Sequence, residues 1–244
     1  MLLTNDLRED GFGAQYQSIL WTILFAEVNG HTFLYSDIPR MDNPTQDSKT
    51  FLENAVNHMN IKDHYPKVDS LGKQLIFAPK WPFFYGEIEN NMEKYHDSQS
   101  FQKLKSFYYA NKTNPYDSNH THVAVHIRRP MKFDIGTLGN STPNIYYIQI
   151  MKRIQEMFAQ SQKPLLFHIF SQGEESLFSE FKEFNIQLHL EDDTFESFKG
   201  LVFADIVVTS ASSFSYTAAL LSRGIIIYKQ FWHPPRNGWL IVKE

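Results

Sequence analysis

The chain has 244 residues, enough for one large α/β domain or two small ones. A net charge of −4 argues against an extended nucleic-acid footprint, and zero cysteines exclude disulfides, thiolate metal sites and a cysteine nucleophile. No run reaches the roughly 18 apolar residues of a membrane span, and the N-terminus lacks a basic, apolar leader, so the sequence predicts no membrane span, no signal peptide and an intracellular chain.

Aromatic residues are abundant, with 21 Phe, 12 Tyr and 4 Trp, which predicts a ring-rich core and cleft. Residues 1–4 read as a short first strand. Leu7-Arg8-Glu9-Asp10-Gly11-Phe12-Gly13-Ala14-Gln15 follows, and its two glycines suit a sharp turn close to a ligand. Helical spacing of Ile19, Leu20, Ile23, Leu24 and Val28 predicts a helix over 16–29, stopped by Gly30. A second strand is predicted over 32–35. A strand, glycine turn, helix and strand in succession begin a doubly wound sheet. Gly-Phe-Gly lacks the third glycine of a dinucleotide fingerprint and does not indicate NAD.

Farther on, 51–58 reads as a helix and 74–78 as a strand. Trp81-Pro82-Phe83-Phe84-Tyr85 reads as an aromatic loop used for packing rather than as a sugar platform, and 93–110 as one polar-faced helix. Turn formers crowd 111–119, which places a boundary between lobes 1–115 and 116–244. The sequons at Asn111, Asn119 and Asn140 read as chance matches.

The second lobe alternates strands (123–127, 165–170, 186–190, 206–209, 224–228) with helices (144–160, a stretch through Phe181, 194–203, 215–222). Such alternation predicts parallel pairing with right-handed crossovers. Two stretches carry chemistry. His126-Ile127-Arg128-Arg129 leaves the first of these strands, where a parallel sheet meets ligand, and an arginine fork suits paired phosphate oxygens. A surface pair making ordinary ion pairs fits those two residues equally well. Thr209-Ser210-Ala211-Ser212-Ser213-Phe214-Ser215 carries five hydroxyls in seven residues before a helix. One hydroxyl suffices to cap, by Ser212 or Ser213, so the surplus favours contact with a phosphate or a ribose. Glu191-Asp192-Asp193 could imitate an acidic metal motif, but N-terminal capping or a base-facing contact suits its position better. The ten histidines show no H-x₃-H pair with metal spacing, so no metal site is expected. There is no G-x-S-x-G elbow and no P-loop.

His126-Ile127-Arg128-Arg129 resembles the H-x-R-R motif of the fucosyltransferase superfamily that includes the α1,2-, α1,6- and protein O-fucosyltransferases. Phe167-His168-Ile169-Phe170-Ser171 resembles the next strand and turn of that group, and residues 204–215 resemble its S-S-F-S segment. Gly11-Phe12-Gly13-Ala14-Gln15 resembles its glycine-rich acceptor-side loop, so the matches run in order from residue 11 to about 220.

The resemblance implies a GT-B architecture, two Rossmann-like lobes with a cleft between them, and an inverting glycosyltransferase with no cofactor and no required metal. The donor, GDP-fucose in most of the family, would sit on the C-terminal lobe, and a glycan hydroxyl would be the acceptor. Arg128 would contact the diphosphate and stabilise charge on the leaving nucleotide. Arg129, Ser212, Ser213, Phe214 and Ser215 would line the donor pocket, with His126, Ser171 and Asp192 as further contacts. Gly11, Phe12, Gly13 and Gln15 would form the acceptor-side loop. Asp10, or Glu9, resembles the acidic position of some protein O-fucosyltransferases, and Asp10 is the candidate base; a solvated loop acid fits that position equally well. Many relatives carry an Asp directly after the second arginine; here Pro130 to Phe133 intervene before Asp134. The family's stem and membrane anchor have no counterpart here, which implies a cytoplasmic enzyme. Another nucleotide-sugar, such as a UDP-sugar, and a non-catalytic nucleotide- or glycan-binding module stay open.

Overall fold

The computed structural model describes residues 1–6, 8–41, 48–71, 75–129 and 141–242. Two compact units divide the chain, Met1–Thr113 and Asn114–Glu244. The loop holding Pro130, Asp134 and Asn140 lies outside the described residues. No helix among them is long and apolar enough to cross a membrane.

In the first unit, β1 (Leu2–Thr4) feeds α1 (Phe12–Val28), and β2 (Thr32–Leu34) follows. Then come α2 (Ser48–Met59), β3 (Ile76–Phe77), α3 (Trp81–Glu89), α4 (Met92–His96) and α5 (Gln99–Tyr109). The three strands form a parallel sheet in the order β2-β1-β3. Helix α1 is buried on nearly every side, with Tyr16, Leu20, Trp21 and Leu24 fully enclosed, as expected for a helix apolar all round.

Four expectations for this unit need correction. Helix α1 starts at Phe12, four residues before the predicted start at Tyr16, because Gly11 serves as its N-cap and accepts from the Gln15 N–H at 3.2 Å. Gly11 has φ −64°, and Gly13 lies within the helix, so neither glycine makes the sharp turn expected of it. Gly30, just past the Asn29 cap, takes the left-handed conformation at φ +69°. Trp81-Pro82-Phe83-Phe84-Tyr85 opens α3 rather than forming a loop, with proline in the first turn, where a missing N–H costs nothing. The single helix expected over 93–110 is two helices, because the Ser98 side chain accepts from the Phe101 N–H and restarts the chain as α5.

In the second unit, β4 (Thr121–His126), α6 (Asn144–Met157) and β5 (Leu165–Ser171) are followed by a 3₁₀ segment, Glu175–Phe181, where a helix was expected. Then come β6 (Ile186–Leu190), α7 (Thr194–Phe203), β7 (Ile206–Val208), α8 (Ser213–Leu221), β8 (Ile225–Tyr228) and the two-residue β9 (Leu240–Ile241). The last strand is too short to show in an apolar pattern. All six strands pair in parallel in the order β6-β5-β4-β7-β8-β9. Numbered within this unit, that is 3-2-1-4-5-6, the doubly wound Rossmann order. One face of β4 sends Val123 and Val125 into a core with Met151, Ile154, Phe167, Ile169, Phe178 and Phe181. The alternate positions, His122, Ala124 and His126, share the other face with His168 and Phe170 of β5.

Candidate functional site

In an open parallel sheet, ligands bind beyond the carboxyl ends of the strands, where the strand order reverses. Here the reversal falls between β4 and β7, which are paired neighbours. Chain leaving β4 carries Ile127, Arg128 and Arg129; chain leaving β7 carries Thr209 to Ser212 and enters α8 at Ser213. The two segments meet: Arg128 Nη1 donates to Ser212 Oγ at 2.9 Å, joining residues 84 apart. Next to that contact, His126 Nδ1 and Ser210 Oγ are hydrogen-bonded at 2.7 Å. The His126 ring lies 5.4 Å from Phe214, whose other side meets Phe198 of α7 at 5.3 Å.

The hydroxyl-rich turn divides its work. Ser212 caps α8, accepting from Phe214 N–H at 3.3 Å, while the fully buried Ser215 reaches Ser210 and the Ser212 carbonyl. Thr209 Oγ1 accepts from Lys229 N–H at 2.9 Å. With Ser210 held by His126, four of the five hydroxyls are therefore engaged within the protein, a larger share than the one expected for capping. Ser213 and Phe214 stay half-exposed at the helix N-terminus, where the backbone dipole favours an anion.

Other site residues take different partners. Arg129 Nη2 donates to Asn144 Oδ1 at the start of α6, and its guanidinium lies 5.2 Å from the Phe178 ring centre. Asn144 in turn donates to the Leu177 carbonyl at 2.9 Å and to Glu180, so Arg129 fastens α6 and the 3₁₀ segment to the end of β4. Ser171 Oγ donates to the Ile127 carbonyl at 2.7 Å, tying the end of β5 to the end of β4. Asp192 Oδ2 is 2.9 Å from His189 Nδ1, whereas Asp193 caps α7 by accepting from Phe195 and Glu196 N–H.

Charge at the site comes from Arg128. Burial lowers its pKa from the usual guanidinium value, yet arginine remains protonated at neutral pH. Burial and then the neighbouring Arg128 charge push His126 down to about 3, so the imidazole is neutral and adds no cation.

The remaining site residues belong to the first unit. Asp10 Oδ2 receives Arg8 Nε at 2.5 Å. The buried Gln15 donates through Nε2 to the carbonyls of Arg8, Asp10 and Arg40 at 2.8–3.1 Å. Phe12 is buried against Tyr16 and His58.

Sequence reading counted Ser210 in the hydroxyl-rich turn but gave it no role of its own, although it holds His126. It also passed over Asp117, His120 and His122, which come together at the other end of β4 among the described residues. Their D-x₂-H-x-H spacing belongs to a turn entering a strand, whereas the pattern sought was helical.

No protein-family model and no curated protein matches the chain. Solved structures are similar to it over nearly its full length. The fucosyltransferase NodZ from Bradyrhizobium is 12% identical with a TM-score of 0.46, covering 96% of both chains. POFUT1 in complex with GDP is 14% identical with a TM-score of 0.43, covering 90% of this chain and 93% of that one. The E. coli heptosyltransferase WaaC, solved with ADP-2-deoxy-2-fluoro heptose, is 12% identical with a TM-score of 0.46, covering 100% and 93%.

Proposed function

We propose that the chain is an inverting glycosyltransferase that moves a sugar, L-fucose from GDP-fucose, to a hydroxyl of a glycan acceptor. The observation that carries this reading is the Arg128–Ser212 hydrogen bond across the point where the strand order reverses. It sets a guanidinium beside the N-terminus of α8, and both favour a diphosphate.

In the reaction, the acceptor oxygen attacks the anomeric carbon from the face opposite the nucleotide. The bond from that carbon to the phosphate oxygen breaks, and its electron pair leaves with the diphosphate. Arg128, with the backbone N–H groups of the Ser213 turn, stabilises the growing negative charge, so a fixed cation serves where other enzymes use a metal. Ser213 and Phe214 hold the nucleotide; His126 and Ser171 position the turn and the strand end. Asp10 of the first unit takes the acceptor proton.

Calorimetric titration of the chain with GDP, GDP-fucose and UDP tests the donor. GDP and GDP-fucose are expected to bind, UDP more weakly. Lack of binding by every nucleotide overturns the reading, and a preference for UDP replaces fucose with another donor. Asp10→Asn is expected to abolish transfer while leaving GDP affinity within about twofold; normal turnover in that variant removes Asp10 as the base.

A further inference from the structure

At the amino end of β4, far along the strand from Arg128, three metal-type ligands converge. Asp117 accepts the Asn119 and His120 backbone N–H groups at 2.6 and 3.2 Å, which folds the turn back onto its own carboxylate. His120 Nδ1 lies 3.1 Å and His122 Nε2 3.7 Å from Asp117 Oδ1, and one ligand atom from each residue falls within 4.8 Å of the others. Ligands about 2.0–2.2 Å from a tetrahedral zinc ion stand roughly 3.3–3.5 Å apart, so a modest rotation of the half-exposed His120 closes the set.

A second observation is independent of that spacing. Behind His122 runs a file of imidazoles on one face of the sheet: His122 Nδ1 to His168 Nε2 at 2.9 Å, then His168 Nδ1 to His189 Nε2 at 3.0 Å. His189 Nδ1 ends the file on Asp192 Oδ2 at 2.9 Å, and at the near end His122 Nε2 lies 3.1 Å from the Asp117 carbonyl. Both ends are acceptors. A cation on His122 Nε2 leaves Nδ1 as that ring's donor. Each imidazole then donates through Nδ1 to the next group, and the last proton reaches Asp192. That is the carboxylate–histidine–metal arrangement extended by two rings. His122 and His168 are buried, Tyr116 stacks on His122 at 4.5 Å, and Phe170 stacks on His189 at 4.4 Å, so the rings are already oriented.

We propose that Asp117, His120 and His122 bind one divalent cation of the zinc class, with His168, His189 and Asp192 fixing the tautomer of His122. Two imidazoles and one carboxylate suit zinc among the divalent ions and leave a fourth position for water. The site pins the 117–120 turn to β4 and stands at the amino end of that strand, opposite the carboxyl end that leads to Arg128.

The test uses the full chain after chelator treatment, titrated with zinc chloride by calorimetry and followed by thermal melting. One equivalent of zinc is expected, with a rise in Tm. His120→Ala and Asp117→Asn, at positions outside the core, are each expected to weaken binding at least tenfold. His189→Ala touches no metal, yet is expected to weaken it by about tenfold or more through the imidazole file. Absence of stoichiometric binding, or wild-type affinity in His120→Ala and Asp117→Asn, overturns the site. Wild-type affinity in a folded His189→Ala overturns the role of the file.

Discussion

The glycine loop of the first unit and the strand ends of the second both carry residues matched to one family's motifs, yet the fold uses them differently. Around residues 8–15 two side chains are spent on the fold, since Gln15 ties three carbonyls and Phe12 fills the core, while Asp10 stays partly exposed beside Arg8. At the ends of β4 and β7, Arg128 and Ser212 meet across a reversal of strand order, and Ser213 and Phe214 stay partly exposed beside them. The contrast teaches that a motif match marks a fold-building residue as readily as a ligand contact. The side chain's own partners decide which.

That difference can be broken most directly at Arg128. Arg128→Ala should weaken GDP binding by about 2–3 kcal/mol, roughly 30- to 150-fold by calorimetry, because it removes charge-assisted hydrogen bonds to a phosphate. Circular dichroism should remain that of the folded chain. Full affinity in this variant would erase the distinction between the two regions. Gln15→Leu should behave in the opposite way, costing about 1–3 kcal/mol of stability by leaving three carbonyls without their donor, with nucleotide affinity unchanged. A stable Gln15→Leu protein with altered binding would turn the first loop into a ligand site. Ser212→Ala should do both in small measure. Loss of the α8 cap costs about 1 kcal/mol in chemical denaturation, and loss of the Arg128 partner weakens GDP several-fold.

A pH-dependent effect comes from His126. Its folded value near 3 lies below the roughly 6.5 of an unfolded histidine, so between those values the unfolded chain binds the proton and the folded chain does not. The stability it contributes is complete above pH 6.5 and is lost as pH falls toward 3, by under about 1.4 kcal/mol per pH unit. His126→Gln should flatten that part of the Tm–pH curve. An unchanged slope would mean that the ring is solvated.

Much of the second unit could be read from sequence because its strands are buried on both faces. Runs such as Val123-Ala124-Val125 and Ile206-Val207-Val208 have few other places to go in a folded chain. The first unit was less legible. Trp81 to Tyr85 has no polar alternation to show a helix, and Ser98 interrupts a pattern that otherwise runs on to Tyr109. At the site, residue types were legible but partners were not. The reach of Arg129 to Asn144, like the burial of Ser215, depends on packing between elements that local spacing does not encode. The Asp117, His120 and His122 cluster needed the strand register that lines up His122, His168 and His189.

The central strand pair also sets a timetable for folding. β4 pairs with β5 some 44 residues later and β5 with β6 soon after, but the other neighbour of β4, β7, arrives more than 80 residues downstream. Parallel pairing across such separations closes late, because the loop entropy is spent before the contacts form. A folding intermediate holding only β4 to β6 would contain the imidazole file but lack Ser210, Ser212 and α8. Arg128 would then have no serine turn to meet, and nucleotide binding would appear only with the last steps of folding.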